Sequence, residues 1–108
     1  MSNNIAASQV TGVTGLVNYQ TGAIVSREIV KGAAGSITAF AFDEGQGLSE
    51  HKTPFDALVQ VIEGEVEVTI DGKPHRVIGG EMILMPANLP HALKALKQFK
   101  MILTMIRP

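Results

Sequence analysis

The segment Glu65–Ile78 restricts the possible folds of this chain more than any other part of the sequence. Its first half alternates apolar and polar residues, which predicts a strand with one buried and one solvated face. Asp71 and Gly72 then form a dipeptide typical of a two-residue type I′ hairpin turn. Such a turn sets the register: Ile70 lies opposite Lys73, Thr69 opposite Pro74, Val68 opposite His75, Glu67 opposite Arg76 and Val66 opposite Val77. We therefore predict an antiparallel hairpin in which Glu67 and Arg76 form an ion pair on the solvated face.

Further short strands are predicted along the chain, separated by glycine and proline turns. They are Ala23–Val30, Ser36–Phe42, Ala57–Ile62, Met82–Met85, His91–Leu96 and Phe99–Ile106. This pattern favours an all-β sandwich or barrel. The three-residue spacing of Leu93 and Leu96 also suits an amphipathic helix, but Pro86 and Pro90 before it and β-branched residues after it favour strands. Residues 1–12 are small and polar, so we expect a loose N-terminal arm followed by one domain over residues 13–108.

The overall composition excludes several classes of function. The chain has 108 residues and no cysteine, so disulfides, thiolate metal sites and cysteine nucleophiles are absent. A formal net charge of −1 provides no general attraction for nucleic acid or anionic membranes. The N-terminus lacks the features of a signal peptide, and no apolar run approaches the roughly 20 residues that span a bilayer. We expect a cytoplasmic protein that binds neither nucleic acid nor membrane.

Two features predict that the chain forms a homodimer. Hydrophobic residues make up 45% of the sequence and charged residues only 18%, so part of an apolar surface is expected to lie against a partner. The segment Ala57–Ile62 is nearly apolar on both faces, with Gln60 as the polar exception. A strand of this kind is expected to be covered on both sides. The second cover would come from another subunit or from the N-terminal arm.

Two motifs resemble those of the cupin family. From Gly47 to Gly64 the sequence reads GLSEHKTPFDALVQVIEG, and from Gly80 to His91 it reads GEMILMPANLPH. Both are similar to the two conserved cupin motifs, and the resemblance extends over about residues 36–106. It implies a double-stranded β-helix, or jelly-roll barrel, which agrees with the all-β prediction made from the strand pattern.

The resemblance also implies a metal site from which two ligands are missing. His51 and His91 stand at two of the histidine positions of the motifs, whereas Thr53 replaces the second histidine and Ala57 replaces the glutamate. Asn88 replaces a glycine, which affects the loop. Because a divalent metal usually needs three or four protein ligands, we expect His51 and His91 to bind such a metal weakly, or to be hydrogen-bonded polar residues at the barrel mouth.

Three further residues are predicted to line the pocket of the barrel. Thr53 and Ala57 follow from the motif, and the hairpin register places His75 on the inward face as a candidate substitute ligand. Small barrels of this type hold one small ligand. The first hypothesis is therefore a module that binds or senses a small molecule; the alternative is a metal-dependent dioxygenase, isomerase or decarboxylase acting on a small metabolite. An oligomeric scaffold is a third hypothesis, and no catalytic residue is assigned.

Overall fold

The computed structural model describes residues 5–108 in full and the backbone of residues 2 and 3. Ten strands lie in this part of the chain: β1 (Ser2–Asn3), β2 (Ile24–Gly32), β3 (Gly35–Phe42), β4 (Gly47–His51), β5 (Asp56–Glu63), β6 (Glu65–Ile70), β7 (Lys73–Ile78), β8 (Met82–Met85), β9 (His91–Ala95) and β10 (Phe99–Ile106). The helical structure described is one short 3₁₀ turn, Val13–Gly15. No helix within the described residues is long and apolar enough to cross a membrane.

The strands form two antiparallel sheets that face each other. One sheet has the order β1-β2-β3-β10-β5-β8 and the other has the order β4-β9-β6-β7. One continuous core joins them, built from Phe42, Val59 and Phe99 of the first sheet and from Val66 and Val68 of the second. The rings of Phe42 and Phe99 stack with their centroids 4.6 Å apart. This arrangement confirms the predicted all-β jelly-roll barrel.

The central hairpin has the predicted register at every paired position. Asp71 and Gly72 have φ angles of 50° and 80°, as a type I′ turn requires. The predicted ion pair is wrong in its acidic partner, because Arg76 contacts Glu65 instead of Glu67. The Arg76 Nε and Nη2 atoms donate to the two carboxylate oxygens of Glu65 at 2.7 and 3.0 Å. Glu65 lies diagonally across on the same face, where its carboxylate meets the planar fork of the guanidinium with both oxygens.

The other strands also agree with prediction, apart from β4 and the two-residue β1, neither of which was predicted as a strand. Met82–Met85 and Phe99–Ile106 have the predicted bounds, and His91–Ala95 is a strand, so the helical alternative is wrong. Gly47–His51 was not predicted as a strand because most of its residues are polar and exposed. This segment forms a strand because it pairs with β9.

The N-terminal segment covers part of the outer face of the six-stranded sheet. Leu16 and Val17 are buried against Ala39 and Ala41 in a second, smaller core. Lys100 is itself buried, and its Nζ donates a 2.7 Å hydrogen bond to the carbonyl oxygen of Thr14. This contact attaches the segment to β10.

The remainder of that outer face is less covered within the single chain. On β5, Leu58 and Ile62 are half-buried and Gln60 is exposed, whereas the alternate residues face the core. The neighbouring edge strand β8 exposes Met82 and Leu84. The segment around Leu16 and Val17 therefore covers only part of this outer face. It follows the arm of residues 1–12 that was predicted as one possible cover for β5.

Candidate functional site

A cavity of about 50 Å³ lies between the two sheets, next to the mouth of the barrel. Its lining consists of Leu48, His51, Thr53, Ala57, Met85, His91, Leu93, Met101, Leu103 and Met105. The two histidines come from the four-stranded sheet, and Ala57 and the three methionines come from the facing sheet. Thr53 belongs to the connection between β4 and β5. The structure therefore brings together four predicted residues, His51, Thr53, Ala57 and His91.

His75 does not reach this cavity, which corrects the prediction that it lines the pocket. Its side chain is exposed, and Nδ1 lies 3.2 Å from the carbonyl oxygen of Val68. Alternation places His75 on the same face as the buried Val77, but β7 is an edge strand and His75 lies nearer the turn. The core ends before it reaches this position. His75 is therefore exposed although it lies on the inward face of the strand.

His51 and His91 are direct cross-strand neighbours on β4 and β9. Their Nε2 atoms lie 3.1 Å apart, and their rings meet edge to face at 71° with centroids 4.3 Å apart. His91 is 3% exposed, whereas His51 is exposed at the mouth. The pair thus connects the solvent to the interior of the barrel.

The hydrogen bonds of this pair determine where the protons lie on the neutral rings. The Nδ1 atom of His51 lies 2.8 Å from the carbonyl oxygen of Ser49, and a carbonyl oxygen can only accept. Nδ1 of His51 therefore carries the proton, and its Nε2 carries a lone pair. His91 must then donate from Nε2, which leaves its Nδ1 without a proton.

The Nδ1 atom of His91 is buried and forms no hydrogen bond with the described residues. Burial lowers the pKa of His91, because the charged imidazolium loses its hydration. The neighbouring His51 lowers this pKa further, while the backbone carbonyl of Leu89 acts in the opposite direction. Burial and the neighbouring His51 thus both favour the neutral form of His91 at the end of the cavity.

Thr53 and Asn88 connect the two loops at the barrel mouth. The Thr53 Oγ1 atom accepts a 3.3 Å hydrogen bond from the amide of Phe55, and the Thr53 carbonyl accepts a 2.8 Å bond from the amide of Asn88. Asn88 has a φ of 68°, a conformation that asparagine tolerates better than most other residues. The residue that replaces the motif glycine thus keeps the left-handed turn of this loop.

Ala57 lies between two methionines on the inner face of the six-stranded sheet. It pairs with Met85 on β8 and with Met105 on β10. Ala57 and Met85 are almost fully buried. Sequence reasoning missed these methionines because β5, β8 and β10 are neighbours in the sheet but not all in the chain. The motif comparison pointed to position 57, but only the strand register shows what surrounds it.

The residues present do not fit the four-ligand divalent metal site that the cupin resemblance implies. With metal–nitrogen bonds of about 2.1 Å, a 3.1 Å separation of the Nε2 atoms gives an angle of about 95° at the ion, so the two imidazoles could share one. Thr53, however, offers a poor hydroxyl ligand and Ala57 offers none. No group of three or more histidine, cysteine, aspartate or glutamate residues within the described chain could hold a metal.

Two antiparallel sheets that close around an internal cavity, with one histidine from each motif at its mouth, define a double-stranded β-helix protein. Residues 39–107 match the family model of the cupin domain. The chain therefore belongs to the cupin family. No curated protein matches its sequence.

Solved structures support the same assignment over the whole chain. A conserved protein of unknown function from Streptococcus pyogenes is 39% identical with a TM-score of 0.94, and the match covers 100% of this chain and 96% of that one. A cupin 2 conserved barrel domain protein from Leptotrichia buccalis is 41% identical with a TM-score of 0.83, over 86% of this chain and 45% of that one. A cupin superfamily protein from Desulfitobacterium hafniense, at 21% identity and a TM-score of 0.91 over 98% and 97% of the two chains, shares the fold.

Proposed function

We propose that this cupin binds or senses a small organic molecule in the cavity between its sheets, without a tightly bound divalent metal. The observation that carries the proposal is the lining of the cavity, which is apolar except for Thr53 and the two imidazoles at one end. An apolar enclosure with few polar groups is the usual form of a small-molecule site. The metal-dependent enzyme considered above would need further ligands, which Thr53 and Ala57 do not supply.

The size of the cavity restricts what can enter it. A water molecule needs about 10–15 Å³ of cavity volume. A cavity of about 50 Å³ therefore accepts a group of a few non-hydrogen atoms. The remainder of a larger ligand would extend past His51, which is exposed at the mouth. We therefore expect either a very small molecule or the narrow apolar end of a larger one.

The proton arrangement of the histidine pair indicates the polar group of the ligand. His91 offers a donor at Nε2 and His51 offers an acceptor at Nε2, as the contact of His51 with Ser49 requires. A hydroxyl group can accept from the first and donate to the second at the same time. Because His51 is at the mouth, its ring can turn aside to admit such a group. Short aliphatic alcohols and hydroxy compounds are the class that matches this pair.

Methionine methyl groups provide a direct test of this proposal. In protein labelled with ¹³C at the methionine methyl groups, Met85, Met101 and Met105 report on the cavity, and Met82, on the outer face of β8, is an internal control outside the cavity. Titration with 1-propanol, 2-butanol and 3-hydroxybutyrate is expected to shift the three cavity signals in a saturable manner while the Met82 signal stays in place. His51→Ala is expected to weaken the response. Equal shifts at Met82, or no saturable shift with any of these compounds, would contradict the proposal.

We also propose that two copies of the chain associate through the uncovered part of the six-stranded sheet. Leu58 on β5 pairs with Leu84 on the edge strand β8, and Gln60 pairs with Met82. Ile62 lies further along the same face of β5. Met82 and Leu84 are 63% and 54% exposed. Exposure of apolar side chains to water costs free energy, and contact with the same face of a second copy would remove that cost. This surface continues the apolar face of β5 that the sequence singled out.

A further inference from the structure

The position at which the cupin motif has a glutamate is surrounded by thioether groups in this protein. Ala57 pairs directly with Met85 on one side and with Met105 on the other. Directly opposite residues in antiparallel strands have their Cβ atoms about 4.5–5.5 Å apart. The flexible side chain of methionine can fill the space that a small neighbour leaves. The position of the missing carboxylate is thus flanked on both sides by methionine, and both methionines line the cavity with His51 and His91.

This exchange reverses the chemical character of the site. Oxygen ligands suit hard cations, whereas thioethers and imidazoles suit a soft ion such as Cu(I). No carboxylate is among the described side chains that line the cavity. The wall opposite the histidines instead carries Met85, Met101 and Met105, three of the five methionines of the chain. The donor set is therefore two nitrogens facing a sulfur-rich wall.

The buried Nδ1 atom of His91 shows how a cation at Nε2 would change the protonation of this ring. Without one, His91 must donate from Nε2, and its buried Nδ1 then keeps a lone pair with no partner. The backbone carbonyl of Leu89, which is a hydrogen-bond acceptor, acts on that ring. If a cation accepts both Nε2 lone pairs, each ring carries its proton on Nδ1. His51 then donates to Ser49, and His91 presents its proton towards Leu89.

We propose that His51, His91, Met85 and Met105 form a site for Cu(I). The inference goes beyond the proposed binding of a small molecule, since it concerns the metal ion that this chain selects. The two proposals share the cavity and nothing else. It needs no change in the oxidation state of the ion, which enters and leaves as Cu(I). The divalent ions that the usual cupin ligands hold are disfavoured by the same substitutions that introduce the soft donors.

Competition with a chromophoric Cu(I) chelator such as bicinchoninate, under anaerobic and reducing conditions, tests the site in the full-length protein. We expect one Cu(I) per chain, and we expect Met85→Leu and Met105→Leu each to weaken binding about tenfold or more. The matched control Met82→Leu alters a methionine on the same strand as Met85 but on the outer surface, so it should leave the affinity unchanged. Methionine-to-leucine exchanges nearly conserve volume, so each variant is expected to fold.

Two further measurements test the proposed Cu(I) site. Loading with Cu(I) should shift the ¹³C-methyl signals of Met85 and Met105, and X-ray absorption should show both nitrogen and sulfur neighbours of copper. Wild-type affinity in a Met85→Leu/Met105→Leu double variant would overturn the inference, as would a copper spectrum without sulfur. Saturable binding of short alcohols combined with no Cu(I) binding would overturn this inference alone and leave the proposed function intact.

Discussion

The phenol of Tyr19 donates a 2.7 Å hydrogen bond to Oε2 of Glu63, which joins the segment before β2 to the end of β5. The same ring lies under a cation, because Nζ of Lys100 is 5.1 Å from its centroid. Glu63 and Lys100 are cross-strand partners, yet the amine of Lys100 turns to the carbonyl of Thr14. The N-terminal segment is thus held by the two side chains of one strand pair.

The pKa of Tyr19 is expected to lie well above its ordinary value of 10, first because of burial and second because of the hydrogen bond to Glu63. Tyr19 is the only tyrosine and the chain has no tryptophan, so ultraviolet absorbance follows this group alone. The folded protein should show no tyrosinate near pH 10, whereas the denatured protein should titrate at about pH 10.

The sign of the accompanying change in stability follows from linkage. A raised pKa in the folded state favours the neutral phenol, so its stabilising contribution is complete below about pH 10 and is lost as the pH rises above that value. Tyr19→Phe should remove this part of the pH dependence, measured by denaturant unfolding. Glu63→Gln, which keeps an acceptor but removes the charge, should lower the tyrosine pKa. A native titration midpoint near 10 would show that the contact is absent.

Gly64 is expected to tolerate no side chain. It has a φ of 88°, and a Cβ atom there would overlap the Gln98 carbonyl oxygen and the backbone of Phe99. Gly45 is a matched control, since its φ is 84° but a Cβ would meet no atom within 4 Å. Gly45→Ala should cost about 1 kcal/mol of unfolding free energy, the cost of the backbone conformation alone. Gly64→Ala should cost clearly more or prevent folding, as measured by urea denaturation; equal losses for the two would contradict the predicted overlap.

The proposed dimer is tested by charge on the uncovered sheet face. Light scattering of the unmodified protein should give about twice the chain mass of 11.5 kDa. Leu84→Glu should shift the mass towards that of a monomer, because two carboxylates would be buried in a symmetric contact. Ile78→Glu is the control, since Ile78 is also exposed but lies on the other sheet. If the unmodified protein is a monomer at micromolar concentration, this result would contradict the proposed dimer.

Restoration of the motif ligands should convert the site into one for divalent metals. The double variant Thr53→His/Ala57→Glu is expected to retain Co(II) or Zn(II) after dialysis, with an affinity higher by orders of magnitude than that of the unmodified protein. Each added ligand would replace a water molecule on an ion that His51 and His91 alone bind weakly. Thr53→His/Ala57→Gln is the control, because it matches the volume without the carboxylate. Tight divalent metal in the unmodified protein, measured by elemental analysis, would show that the site is not depleted.

The parts of the fold that were predicted correctly depend on neighbours in the chain. The Asp71-Gly72 turn determines its own hairpin, so local sequence was enough to give the register. The exposure of His75 could not be read in this way, because alternation identifies a face but not the extent of the core. The enclosure of Ala57 by Met85 and Met105 depends on two long-range pairings. No local pattern contains them.

The cavity has a consequence for how the barrel opens. Its histidines belong to one sheet and its methionines to the other, so any occupant that contacts both acts as a bridge across the sandwich. Separation of the two sheets would then require release of the occupant, at a free-energy cost that grows with its concentration relative to its Kd. Amide hydrogen exchange in β5 and β9 should therefore slow together when the cavity is filled, since two layers that could otherwise part separately would open as a single cooperative unit.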